Sequence, residues 1–193
     1  MLSFFLLYSI RDSRLFIMAK RFKKTMIKKI VITGPESCGK TTLAKSLGEI
    51  YKCHVVKEFA RDYLNKLNRK YKYDDLLKIA KGQEKEEVKI NALEKKILIC
   101  DTSIHTIKIW SLDKFNKCDP WIIKKKENYN HYLLCYPDVP WKEDPLRENP
   151  HDRKRIFDLY LTELKDKPLT IISGNKTERI KQAQNVINRH IIS

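Results

Sequence analysis

A strand-forming run, a glycine-bracketed turn and an amphipathic helix follow one another between residues 29 and 51. This junction constrains the chain more than any other stretch. Ile30-Val31-Ile32-Thr33 is a short β-branched run that leads into Gly34-Pro35-Glu36-Ser37-Cys38-Gly39-Lys40-Thr41-Thr42. The latter fits the spacing G-x-x-x-x-G-K-[ST] of a phosphate-binding loop. Leu43, Leu47, Ile50 and Tyr51 then recur at helical spacing. Each residue type has a mechanical job. Gly34 and Gly39 permit a tight turn whose backbone N–H groups point at phosphate oxygens. Lys40 brings a positive charge to the β- and γ-phosphates, and Thr41 offers a hydroxyl to Mg²⁺. The helix N-terminus adds a favourable dipole for an anion. Strand, glycine loop and helix in this order are what separates a working loop from a chance match.

The rest of the chain extends that unit. Strands are expected at 29–33, 54–58, 97–101, 131–136 and 169–173, with helices at 40–51, 59–68, 74–95, 104–127, 152–166 and 176–190. All the strands but the second are short apolar runs, as expected when both faces of a parallel sheet are covered. The alternation implies an α/β, three-layer P-loop NTPase fold with a mostly parallel five-stranded sheet. At 193 residues the chain is expected to form one domain, residues 26–193. Residues 1–25 read as an N-terminal extension, either a disordered tail or an upstream over-extension of the reading frame. Their apolar start, Met1 to Ile10, precedes Arg11 and Arg14 rather than following them, and it is too short to span a bilayer. No membrane attachment is expected.

The net charge is +16 and the pI about 9.6. Such a balance raises the question of nucleic acid. The basic residues are spread through most elements, lysine far outnumbers arginine, and no nucleic-acid-reading motif accompanies them. Nucleic acid is therefore not the expected partner. The five cysteines (Cys38, Cys53, Cys100, Cys118 and Cys135) are odd in number and contain no C-x-x-C pair. They read as reduced thiols in the cytoplasm, not as a disulfide frame or a zinc site.

Phosphoryl transfer needs a phosphate cradle, Mg²⁺, a positioned acceptor and cationic charge. The run Ile97-Leu98-Ile99-Cys100 ends in Asp101, which is expected to hold Mg²⁺ with Thr41, directly or through water. The second strand runs into Glu58-Phe59-Ala60-Arg61-Asp62-Tyr63, whose start faces the crevice at the carboxyl ends of the strands. There Glu58 can accept a hydroxyl proton and Arg61 can pair with phosphate; a surface ion pair between them is the alternative. The proline-rich, charged stretch 137–155 is long for a connector and reads as a lid, with Lys142, Arg147, Arg153 and Arg155 able to close on phosphates. Gly82-Gln83 interrupts a helical stripe that includes Leu76, Ile79 and Ala80, where a glycine permits close approach of a backbone or ligand. Trp110, Trp121 and Trp141 are candidates for ring stacking, with packing the expected role of the first two.

Taken together, these blocks resemble the ribosylnicotinamide kinase domain of NadR-type NAD-salvage proteins. The resemblance runs through Gly34 to Thr42, Glu58 to Tyr63, Ile79-Ala80-Lys81-Gly82-Gln83, Asp101-Thr102, Pro140-Trp141-Lys142-Glu143-Asp144-Pro145-Leu146-Arg147, and Asp152-Arg153. The blocks keep their order over roughly residues 28–190. The resemblance implies a standalone kinase that uses ATP and Mg²⁺ to phosphorylate the ribose 5′-hydroxyl of nicotinamide riboside. It implies catalytic roles for Lys40, Glu58, Asp101, Arg147 and Arg153, and substrate contacts from Glu58, Arg61, Tyr63, Gln83, Trp141 and Asp144. Bifunctional members tend to carry an aromatic residue just before the glutamate, where this chain has Lys57. The sequence leaves open the choice of nucleoside, the preference for ATP or GTP and a homo-oligomer, with an NTP-binding regulatory ATPase or GTPase module as the alternative to a kinase.

Overall fold

The computed structural model describes residues 27–93 and 96–189. The expectation for residues 1–25 lies outside the described residues. Five strands form one sheet: β1 (Lys28–Thr33), β2 (Val55–Val56), β3 (Ile97–Asp101), β4 (His131–Cys135) and β5 (Leu169–Ile172). Their spatial order is β2-β3-β1-β4-β5. Every pairing is parallel, so the sheet is wholly rather than mostly parallel. The helices are α1 (Lys40–Tyr51), α2 (Phe59–Asn65), α3 (Tyr73–Asn91), α4 (Ile104–Phe115), α5 (Pro120–Lys124), α6 (Arg153–Glu163) and α7 (Lys176–Ile187).

The period-two geometry of the strands divides the core between two faces. Ile30 and Ile32 of β1, Ile97 and Ile99 of β3, and Leu133 and Cys135 of β4 point to one face, where Leu43 and Leu47 of α1 and Ala183 and Ile187 of α7 cover them. Val31, Leu98, Cys100, Tyr132 and Leu134 point to the other, against Ile109 of α4 and Ile156, Phe157 and Tyr160 of α6. This is the three-layer arrangement expected from the apolar runs. A satellite core ties α2, α3, α4 and α5 together through Ala60, Leu76, Ile79, Ile107 and Ile122.

Two elements differ from the sequence reading. The single helix expected over 104–127 is two. Asn116 adopts a left-handed conformation (φ 52°) that ends α4, and α5 restarts at Pro120 with the Asp119 side chain accepting from the Trp121 N–H. Strand β2 spans only Val55 and Val56, because Glu58 already serves as the cap residue of α2.

The central strands place the site. Ile32 pairs with Asp101, so the end of β3 stands beside the start of the glycine loop. The Thr102 N–H donates to the Ile32 carbonyl at 2.9 Å and locks the two strand ends together.

Candidate active site

The loop after β1 turns through positive φ at Gly34 (137°), Ser37 (53°) and Gly39 (87°). A Cβ on Gly34 would stand 2.7 Å from the Cys135 carbonyl oxygen and 3.0 Å from Cys38 Sγ. Glycine is required there by space as well as by backbone angle. The Lys40 ammonium donates to the Gly34 and Pro35 carbonyls at 2.9 and 2.6 Å. Burial by itself would depress the Lys40 pKa, but the surrounding Cys38, Tyr160, Glu58 and Asp101 outweigh it and raise it above the ordinary lysine value. Lys40 is thus a fixed cation.

Asp101 is 3% exposed and lies close enough to the Thr41 side chain for that hydroxyl to favour its charged form, while its Oδ1 has no partner among the described residues. Burial raises its pKa against the pull of Thr41, Lys40 and Arg61. A buried carboxylate oxygen without a partner, next to a hydroxyl that opens the first helical turn, suits Mg²⁺, which keeps most of its waters and takes one or two protein oxygens plus phosphates. Among the described residues no group of three or more His, Cys, Asp or Glu side chains forms a metal cage. Thr41 and Asp101 are the residues that would hold the ion.

A cavity of about 360 Å³ opens around Lys40 and Thr41, within the range of small-molecule sites. One end lies between Thr42 and Leu43 of α1 and Lys176, Arg179 and Ile180 of α7. The other is walled by Glu58, Ala60, Arg61, Leu64, Thr106, Trp110 and Tyr160, drawn from α2, its cap residue, α4 and α6. Burial raises the Glu58 pKa, and Asp101 reinforces the shift while Lys40 opposes it. Glu58 is therefore a carboxylate of raised basicity facing the cavity, on a different strand end from Asp101.

The connector after β4 lies over the loop as a lid. Ser37 Oγ accepts from the Lys142 N–H at 2.9 Å, and one Glu36 carboxylate oxygen accepts from the Glu148 and Asn149 N–H groups, both at 3.0 Å. Arg61 and Asp144 form an ion pair at 2.8 Å that ties α2 to the lid. Arg147 lines the cavity. Arg153 instead donates to the carbonyls of Ser37 (3.3 Å) and Val139 (2.9 Å), bracing the loop against the base of the lid.

Of the residues singled out in the sequence, the structure brings Gly34, Glu36 to Thr42, Glu58, Arg61 and Arg147 to one cavity, with Asp101 just behind Thr41. Pro35 contributes its carbonyl to Lys40. Four expected substrate contacts have other partners. Tyr63 donates to Asp75 at 2.8 Å, Asp144 pairs with Arg61, and the Trp141 indole N–H donates to Glu143 at 2.9 Å with its ring near Arg147 and Arg153. Gln83 is 3% exposed and bonds the backbone of Lys57 and Phe59. The Lys57 side chain is exposed.

Sequence reasoning missed Tyr160 and Arg179, and it placed packing ahead of stacking for Trp110. Trp110, expected to pack, lines the cavity, and its spacing of four from Thr106 on the helix after Asp101 was the available signal. Tyr160 comes from a distant helix with no local signature. Arg179, 4% exposed, donates to the carbonyls of Gly174 (2.7 Å), Cys38 (2.9 Å) and Tyr136 (2.8 Å) and pairs with Asp138. It joins the loops that follow β1, β4 and β5.

A phosphate loop on β1, a carboxylate ending β3 and a lid after β4, on a wholly parallel 2-3-1-4-5 sheet, define a nucleotide-binding P-loop fold of the kinase-like kind. The AAA domain family profile matches residues 29–179, most of the chain, and the chain belongs to that family. Among solved structures it is similar to NadR protein in complex with NAD and AMP-PNP, at 18% identity and TM-score 0.72, covering 86% of this chain and 50% of that one. NadR protein in complex with NR is similar at 21% identity and TM-score 0.69, covering 86% and 52%. The chain thus spans about half the length of the NadR chains it matches. Thymidylate kinase from Ehrlichia chaffeensis is similar at 18% identity and TM-score 0.59, covering 82% and 98%. No curated protein sequence matches the chain. No helix among the described residues is long and apolar enough to cross a membrane.

Proposed function

We propose that this protein is an ATP-dependent small-molecule kinase that phosphorylates a nucleoside, with nicotinamide riboside as the leading acceptor and nicotinamide mononucleotide as the product. The observation that carries the reading is the second carboxylate. Asp101 stands beside Thr41, whereas Glu58 lines the cavity itself, together with Trp110, Leu64 and Ala60. A module that only bound or slowly hydrolysed a nucleotide would need no acid and no aromatic wall on that side.

The chain's own groups then divide the work. Loop amides and Lys40 bind the phosphates and offset the charge that develops on the transferred group. When bound with ATP, Mg²⁺ neutralises phosphate charge, and Thr41 and Asp101 would hold it. Glu58 orients the ribose hydroxyl and can take its proton. Arg147, and Arg61 where it releases Asp144, supply further cationic charge over the phosphates. Trp110 offers a flat face for the nucleoside ring, and the NadR complex with NR makes nicotinamide riboside the first compound to try. The five cysteines form no disulfide among the described residues, which fits a cytoplasmic setting.

The test is ATP consumption with Mg²⁺ against a nucleoside panel that includes nicotinamide riboside, with the phosphorylated product identified by mass. Stoichiometric monophosphate from one nucleoside supports the reading. ATP hydrolysis that no nucleoside stimulates would replace it with a regulatory NTPase.

A further inference from the structure

Glu58 is held in place by an unusual arrangement. It lies two residues beyond the short strand β2 and is the cap residue of α2, with φ −64° and ψ 107°, yet its side chain makes no capping bond. The first amide of α2, on Phe59, is satisfied from elsewhere. Gln83 Oε1, on α3, accepts from the Phe59 N–H at 2.8 Å, and Gln83 Nε2 donates to the Lys57 carbonyl at 3.3 Å.

The chemistry of these two bonds is specific. The Lys57 carbonyl belongs to the peptide plane before the Glu58 Cα, and the Phe59 N–H belongs to the plane after it. Peptide planes are rigid, so the residue between them has only two soft angles. One carboxamide that fixes both planes therefore fixes φ and ψ of Glu58 and the direction of its side chain. A carboxamide does so with an acceptor and a donor held in one planar group. The N–H needs an acceptor and the carbonyl needs a donor. A carboxylate would face the carbonyl with a second acceptor, and an aliphatic chain would leave both groups unpaired in a buried place.

Gly82 adds the other half. A Cβ at Gly82 would overlap the Phe59 ring, so the ring lies directly against the backbone of α3. The Gly82-Gln83 pair grips the residues on both sides of Glu58 while leaving its carboxylate for the cavity. Gln83 is itself buried and does not line that cavity.

We infer that Gln83, seated by Gly82, is a positioning residue that aims the Glu58 carboxylate at the acceptor hydroxyl. The inference rests on the proposed role of Glu58. The experiment is a cycle of Glu58→Gln, Gln83→Leu and the double variant, each assayed for kcat and KM of both substrates and for ATP–Mg²⁺ affinity. Gln83→Leu lowers kcat with the nucleoside by about 10- to 100-fold, the range of a misplaced catalytic group. It leaves ATP–Mg²⁺ affinity within about twofold. In the Glu58→Gln background it costs less than about twofold more, because coupled groups are not additive. Gln83→Glu, which keeps the acceptor for the Phe59 N–H, is read in the same cycle and shows the same pattern if the leucine variant does not fold. Full kcat in both folded Gln83 variants, or losses that multiply with that of Glu58→Gln, would overturn the inference and leave the kinase reading standing. A wild-type protein that phosphorylates no nucleoside, or a fully active Glu58→Gln, would overturn the reading of Glu58 and the inference with it.

Discussion

The two ends of the cavity are built on different principles. The nucleotide end is made largely of backbone: loop amides, a left-handed Gly39, a Gly34 packed against Cys135, and one lysine whose carbonyl partners lie five and six residues away. The proposed acceptor end is made of side chains from separate elements: Glu58 before α2, Thr106 and Trp110 on α4, and Tyr160 on α6. Backbone recognition needs a fixed local spacing, so one short stretch carries it and serves any nucleoside triphosphate. Side-chain recognition needs only that the fold bring the residues together, so it can vary with the substrate. The first end should therefore set whether transfer occurs, and the second which molecule receives the phosphate.

The largest effect expected from this division is at Lys40. Lys40→Ala removes the fixed cation of the nucleotide end, and kcat should fall by roughly 10³-fold or more with every nucleoside tested, while thermal unfolding still shows a folded protein. Steady-state kinetics across the panel checks it; a loss confined to one nucleoside would erase the distinction between the ends. Next comes Trp110→Ala, which should raise the nucleoside KM by about 10- to 100-fold, as expected for losing a stacked aromatic face worth about 1–3 kcal/mol, and leave the ATP KM alone. An equal rise in both values would mean that α4 supports the whole cavity rather than its acceptor end.

The smallest effect is on stability alone. His105, one residue before Thr106, is ion-paired with Glu127 at 2.6 Å and Glu163 at 2.9 Å, with Lys108 also on Glu163 and the Tyr132 ring at its edge. Burial works against the charged ring, but the two carboxylates prevail and raise its pKa to about 9. A folded value above the ordinary 6.5 means that the charged form stabilises the fold. That contribution is complete below about pH 6.5 and is lost as pH rises through about 9. Unfolding by denaturant should show His105→Gln less stable by on the order of 2 kcal/mol near pH 6, with the gap closing above pH 9. A gap that widened with pH would show that the ring is neutral in the fold.

The same division explains what was legible in the sequence. The strands around the phosphate loop read clearly because both faces of the sheet are buried, so Ile30 to Ile32, Ile97 to Cys100 and Tyr132 to Cys135 are continuous apolar runs. The loop read clearly because its glycines sit where the backbone angles demand them. The break between α4 and α5 was hidden because Asn116 and Pro120 interrupt an apolar stretch that otherwise continues from Ile104 to Ile123. Gln83 stands out beside Gly82, but a sequence cannot tell a carboxamide that reads a ligand from one that reads backbone. Tyr160 and Arg179 depend on contacts between distant elements, such as Arg179 with Cys38, and no local spacing announces those. The prolines of the lid mark a loop, but not that Glu36 and Ser37 would hold its backbone N–H groups.

The central claim is that the two carboxylates at neighbouring strand ends do different work, and the most direct measurement compares Glu58→Gln with Asp101→Asn in one set of titrations of kcat against Mg²⁺ and pH. Glu58→Gln should cut kcat by about 10²-fold or more with the Mg²⁺ requirement unchanged. It should also abolish the acidic limb of the wild-type profile, where kcat rises with pH as Glu58, its pKa raised by burial, gives up its proton. Asp101→Asn should keep that limb and raise the Mg²⁺ needed for half-maximal rate. Exchanged phenotypes would place the metal at Glu58 and contradict the account.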